Sequence, residues 1–216
     1  MKRTKKLLLT LVLIIVGNSC LMAQERDMHY DIWDVLAGVK AGAGVGFLTK
    51  NTCDPLIMPY ASVYAEMYLN KTISMSLEVA GACKGADNVR TPFVAEDGTV
   101  GNRLYQYRIW YVNTSYLFNV HVFRHLSLYT GLTLGRAVNA KAQRDGISRD
   151  MLDYIHKGEF SVPVGMELTL GKHVTVDARW HWSPLKLSDS EAATRAFGAA
   201  RNQFFSATLG YKFQVF

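Results

Sequence analysis

Residues 203–216, QFFSATLGYKFQVF, alternate without a break. Phe205, Ala207, Leu209, Tyr211, Phe213 and Val215 fall on one face, and Ser206, Thr208, Gly210, Lys212 and Gln214 on the other. Successive side chains of a strand point to opposite faces, so the stretch specifies one apolar and one polar surface. The same alternation recurs along the chain, with no helical domain to cover the apolar faces. Behind an export signal, such a set of strands points to a closed barrel whose apolar face meets lipid.

The export signal is legible at the start. Lys2, Arg3, Lys5 and Lys6 precede an apolar run at 7–16, and Leu21-Met22-Ala23 offers a small-residue cleavage site before Gln24. The run is too short for a spanning helix, which needs roughly 20 residues, so residues 1–23 are expected to be a cleaved signal peptide. Cys20 is the lipidated cysteine of a rival lipoprotein reading, but Gly17 stands three residues before it, where such signals usually carry Leu. The segment holds four bases and no acid, so removing it lowers the formal net charge from +6 to +2. The basic balance is therefore a targeting feature and gives no support for a nucleic-acid partner. Residues 24–34 form a short polar lead-in, expected in the periplasm, and 35–216 are expected to be one barrel domain.

Eight strands are expected, at about 35–48, 57–70, 72–84, 104–119, 126–140, 159–170, 173–187 and 203–216. In the first, Val35, Ala37, Val39, Ala41, Ala43, Val45 and Phe47 oppose Lys40 and alternate glycines. Those glycines leave room for large neighbours or let the sheet curve. They lack the lysine-hydroxyl ending of a phosphate loop. The second strand opposes Ala61, Val63, Ala65 and Met67 to Tyr60, Ser62, Tyr64, Glu66 and Tyr68; the sixth and seventh alternate equally cleanly. The fourth is aromatic on both faces, which leaves its phase open. The connections alternate too. Turns at 70–71, 123–125 and 171–172 are short, whereas 49–56, 85–103, 141–158 and 188–202 are long. Short periplasmic turns and long outer loops are the pattern of bacterial outer-membrane barrels. Short helices are expected within 148–156 and, behind a capping box at Ser188 and Glu191, at 192–200.

Placed on this frame, Lys40, Glu66, Glu78, Glu167, Asp177, Arg179 and Lys212 all fall on the inward face. Eight strands leave an interior just wide enough for side chains to fill, and buried charges must pair. The expected lumen is plugged by ion pairs; a narrow proton or ion path is the sharper alternative. Trp180, Trp182, Tyr211 and Phe213 face lipid near strand ends, as interfacial aromatics do. Two His-x-Ser pairs, His125 with Ser127 and His181 with Ser183, have the spacing of a lipid-modifying hydrolase. His125 has no nearby acid after it, and the acids after His181, Asp189 and Glu191, fall in a loop. No metal or cofactor site emerges from the scattered histidines. Antiparallel pairing about residues 70–71 places Cys83 a few residues from Cys53, so a disulfide at the outer rim is one reading and two free thiols the other.

Four stretches carry a resemblance: LMAQ at 21–24, AGVKAGAGVG at 37–46, VTVDARWHW at 174–182 and LGYKF at 209–213. With them the chain resembles the PorT-like outer-membrane β-barrel family of Bacteroidetes. The strands and their connections lead us to expect an all-β, eight-stranded antiparallel up-and-down transmembrane β-barrel, OmpA/OmpX-like in architecture, acting as a structural or surface-interaction protein rather than an enzyme; the resemblance implies an outer-membrane barrel. It also implies a link, in some members, to type IX protein secretion. Expected partners are outer-membrane lipid and lipopolysaccharide, the barrel-assembly machinery, and envelope or secretion proteins.

Overall fold

The computed structural model describes residues 32–49, 53–94, 100–144, 146–186 and 201–215. The expected signal peptide, most of the lead-in and the expected helix at 192–200 lie outside them. Among the described residues nine strands follow one another: β1 Val35–Leu48, β2 Asp54–Tyr68, β3 Ile73–Val94, β4 Val100–Phe123, β5 Leu126–Arg144, β6 Ile147–Asp150, β7 Gly158–Leu170, β8 Val174–Lys186 and β9 Arg201–Gln214. Eight of them form a ring. β1 to β5 pair in sequence, β5 pairs with β7, β7 with β8, β8 with β9, and β9 closes onto β1. All pairings are antiparallel, and β6 is added to the outer end of β5.

Alternation fixes what faces in. Along β2, Tyr60, Ser62, Tyr64, Glu66 and Tyr68 are buried while Ala61, Val63 and Ala65 are exposed. Outward residues such as Val63 (57 % exposed), Leu132 (50 %) and Leu209 (65 %) make an apolar belt around the ring. Such a surface is stable only against lipid. Among the described residues no helix is long and apolar enough to cross a membrane. The phase of β4, open in the sequence, is set by its partners. Tyr107, Ile109, Tyr111, Asn113, Ser115, Leu117 and Asn119 point in, and Arg108, Trp110, Val112, Tyr116 and Phe118 point out.

Turns at one end are tight. Asn70 accepts the amides of Thr72 and Ile73 through its side chain, both at 2.8 Å, and Gly171 takes φ +66° between β7 and β8. A positive φ favours glycine, which has no Cβ to clash. At the other end two expectations are corrected. The supposed loop 85–103 is mostly strand, because a bulge at Asp87-Asn88, with Asn88 at φ 53°, absorbs the polar dipeptide and pairing resumes at Val89. The expected helix in 148–156 is replaced by β6 and a single 3-10 turn at Leu152–Tyr154. Gly146 (φ +79°) folds β6 back onto the free edge of β5, which supplies backbone partners a short helix would lack.

β3, β4 and β5 thus run far beyond the ring. Their 22, 24 and 19 residues exceed the 13 of β7 and of β8. The β2–β3 ladder ends at Asp54 opposite Asp87, and the β5–β7 ladder at Arg136 opposite Gly158. Beyond those pairs the strands make a separate projecting sheet. Its inner face carries an apolar cluster that includes Val89, Tyr107, Ile109, Tyr111 and Ala140, with Ile155 folded over it from the β6–β7 connection.

Candidate functional site

The polar groups of the ring converge on the lumen in three layers. The first lies near the tight turns. Here Asn119 donates to Ser74 (3.0 Å) and Ser76 (2.8 Å), and Ser74 donates to Glu66 at 2.5 Å. Because the Ser74 proton points at Glu66, the 2.9 Å contact between His121 Nε2 and Ser74 Oγ makes that nitrogen the donor. Nδ1 is then free to accept from Ser127, 2.7 Å away. Tyr68 stacks on the His121 ring at 4.8 Å between centroids.

The middle layer is ionic. Arg179 donates from Nη1 and Nη2 to the two oxygens of Glu78, both at 2.8 Å, a bidentate pair with each side chain 1 % exposed. Its Nε donates to Tyr129 at 2.8 Å, and Tyr129 donates to Asp177 through a short hydrogen bond. Tyr60 donates to Glu78 at 2.6 Å. Lys40 lies 2.7 Å from Glu167 and 3.3 Å from Asp177, and Lys212 lies 3.6 Å from Glu167 while donating to Thr169 at 3.0 Å. Lys40, Glu66, Glu78, Glu167, Asp177, Arg179 and Lys212 are therefore all buried in the lumen, and six of them form one ionic network. The seventh, Glu66, is held by the serine, asparagine and histidine of the first layer, at 3.5 Å from His121 Nε2.

An outer pair went unread in the sequence. Lys84 Nζ reaches both oxygens of Glu159, at 2.9 and 2.8 Å, with Nζ 5.3 Å from the Tyr111 ring centroid. Both residues sit at the margins of the expected third and sixth strands, where the inward phase is hardest to assign. Carrying the alternation of β7 one step back from Ser161 would have found Glu159. Between this pair and the ionic layer, Phe204 packs against Tyr60 at 6.1 Å between centroids and against His181 at 5.8 Å.

Neither His-x-Ser pair forms a catalytic couple. Ser127 bonds His121 across the β4–β5 ladder, not His125. Ser183 donates to the carbonyl of Phe160 at 2.9 Å, and the two ring nitrogens of His181 make no hydrogen bond. Asp189 and Glu191 lie outside the described residues. The Ser127–His121–Ser74–Glu66 chain has nucleophile, base and acid in sequence, but an acyl-transfer site also needs donors aimed at a developing oxyanion. The backbone amide of His121 is spent on Thr72 (2.8 Å), and the Asn119 amide on Ser74 and Ser76. With Ser127 buried, the chain of bonds serves as a bolt between β2, β3, β4 and β5. Among the described residues no His, Cys, Asp and Glu group is placed to hold a metal.

The rim disulfide is also corrected. No disulfide joins Cys53 to Cys83. In the β2–β3 register Ala82 faces Tyr60 and Asp87 faces Asp54, which leaves the two cysteines about five positions apart along the ladder. That is roughly 16 Å, far beyond disulfide reach.

A ring of eight antiparallel strands with tight turns at one end, a filled polar lumen and an apolar belt is an eight-stranded outer-membrane β-barrel. Two solved structures of one such barrel share the fold. The chain is similar to Ail, the attachment invasion locus protein of Yersinia pestis, at 14% identity and TM-score 0.51, over 84% of this chain and 99% of that one. A second structure of Ail, in complex with the heparin analogue sucrose octasulfate, matches at 14% identity and TM-score 0.50 over 83% and 99%. The outer membrane protein OprG from Pseudomonas aeruginosa matches at 9% identity and TM-score 0.47 over 88% and 100%. No family model and no curated protein matches the chain.

Proposed function

We propose that the chain is a non-enzymatic outer-membrane protein whose barrel is an anchor and whose projecting sheet makes contacts outside the cell. The observation that carries this is length. β3 and β4 have 22 and 24 residues, where crossing the bilayer takes about 9–11. The filled lumen supports an anchor rather than a conduit. In this reading the barrel is exported behind its signal peptide, folded by the barrel-assembly machinery and surrounded by outer-membrane lipid and lipopolysaccharide.

A second reading is a component or accessory of a type IX-like secretion system, in keeping with the PorT-like resemblance. One observation favours it: AGVKAGAGVG lies on β1, VTVDARWHW on β8 and LGYKF on β9, and these three strands are neighbours in the ring. A lipid-modifying hydrolase is the weakest reading, since neither histidine of the two His-x-Ser pairs bonds its serine.

One experiment separates the first two. A strain lacking the gene is compared with its parent for exported proteins in the medium and on the surface. It is then complemented with the full chain or with one lacking residues 88–105. Under the anchor reading, secretion is unchanged in the deletion strain, and the shortened chain still assembles but loses its surface contacts. Cargo accumulating in the periplasm, restored equally by both chains, would establish the secretion reading and remove the sheet from the explanation.

A further inference from the structure

A row of bases stands on the outward face where β4 and β5 leave the apolar belt. Arg108 on β4 is directly opposite Lys141 on β5, and Arg136 on β5 is opposite Val112, four residues nearer the bilayer on β4. All three are exposed. Trp110, 43 % exposed, lies between the two levels, as an interfacial aromatic does. Directly opposite residues bring their Cβ atoms to about 5 Å, and like charges there repel. Among the described residues none of the three is in an ion pair. Asp150 faces Lys141 from β6 but makes no ion pair with it, and the nearby Asp54 is engaged by Asn88 at 2.7 Å.

Further in on the same wall is an apolar groove of about 560 Å³, lined by Phe118, Leu128, Val164, Met166, Trp180 and Phe205. Its origin is local. The β5–β7 ladder skips from Thr130–Val164 to Thr133–Ser161, where Pro163 has no amide to donate. Six residues of β5 separate Thr130 beside the groove from Arg136, roughly 20 Å, within reach of an extended fatty acyl chain.

We infer that this wall binds one phosphate-bearing acyl lipid of the outer leaflet, its phosphate held by Arg108, Lys141 and Arg136 and an acyl chain laid in the groove. The bases supply charge where a headgroup sits, and the groove supplies the apolar surface that a soluble polyanion could not use. The inference rests on the barrel reading above, and it goes further by naming a lipid class and its residues.

The test uses the full mature chain in nanodiscs of zwitterionic lipid, doped with phosphorylated lipid A or with the same lipid dephosphorylated. Native mass spectrometry counts the retained copies. We expect preferential retention of the phosphorylated lipid. Each of Arg108→Gln, Lys141→Gln and Arg136→Gln should weaken it roughly five-fold. Met166→Trp, which fills the groove and leaves the bases intact, should weaken it as well. Equal retention of both lipids, or of wild type and all four variants, overturns the proposal. If sucrose octasulfate binds the row as tightly as the lipid does, and Met166→Trp changes nothing, the row is a site for soluble polyanions and the lipid assignment falls. A chain that never enters the discs, and shows no heat-modifiable migration on a gel, would instead sink the barrel reading itself.

Discussion

Arg179 meets Glu78, Asp177, Tyr60 and Tyr129 from one guanidinium, so few single changes should cost the molecule more than cutting that pair. Removing one partner of a buried pair strands the other charge, at about 3–5 kcal/mol, whereas replacing both by apolar groups is often neutral. Glu78→Ala should therefore lower unfolding stability by about that much in detergent-urea titrations, and Glu78→Leu with Arg179→Met should recover most of the loss. A double variant no better than the single would mean that the network, not the stranded charge, carries the energy. A second residue-scale expectation concerns Gly44, where an added Cβ would meet the Phe204 ring. Gly44→Val should destabilise by about 1–3 kcal/mol through overpacking, with Phe204→Ala in the same chain giving part of it back. The same titration measures both. At this scale the sequence was informative wherever a strand's phase was clear. Lys40, Asp177 and Arg179 could be placed inside from alternation alone. His121 could not, because its partnership with Ser127 depends on the β4–β5 register across a turn, and β4 is aromatic on both faces.

The elements differ in how firmly they are held. The β5–β7 seam lacks the pairs around Gly131, Leu132, Val162 and Pro163, although Thr130 Oγ1 donates to the Pro163 carbonyl at 3.0 Å. Backbone groups without ladder partners open more readily. Amide exchange at 131–132 and 162 should thus outpace exchange at 127–129 and 166–168, as hydrogen–deuterium mass spectrometry would show. Uniform protection along the seam would refute the weak-seam expectation. Element boundaries were also where the sequence misled. Polar and turn-prone residues at 85–103 resemble a loop, but a bulge can swallow Asp87-Asn88 without ending the strand. Met151 and Ile155 have helical spacing, yet both pack on the projecting sheet's apolar cluster by way of β6 and a single 3-10 turn. Local pattern specifies which side chains are buried together more surely than which backbone form brings them there.

For the whole molecule, the lumen is filled from the His121 bolt, through the Arg179 network and the Lys84–Glu159 pair, to the cluster under Ile155. The cavity among Lys40, Glu66 and Glu167 is only about 10 Å³. Planar bilayers containing the purified chain should show no steady porin-like conductance, and stable open-channel steps would contradict the anchor reading. The barrel itself was legible because period-two alternation and the alternation of short and long connections agree on eight ring strands. The role was less so, since nothing in a plugged lumen names a partner. One consequence of the ring's closure concerns time. β1 finds one of its two neighbours, β2, as soon as a hairpin's length of chain exists, but its other neighbour is β9, and Val39 must wait for Tyr211. The first strand made cannot be finished until the last strand has been delivered, so the wall has no partial form with all its edges satisfied. Whatever escorts this chain across the periplasm must hold nearly all of it at once, and a stalled or truncated copy would arrive with an open edge as its mark for disposal.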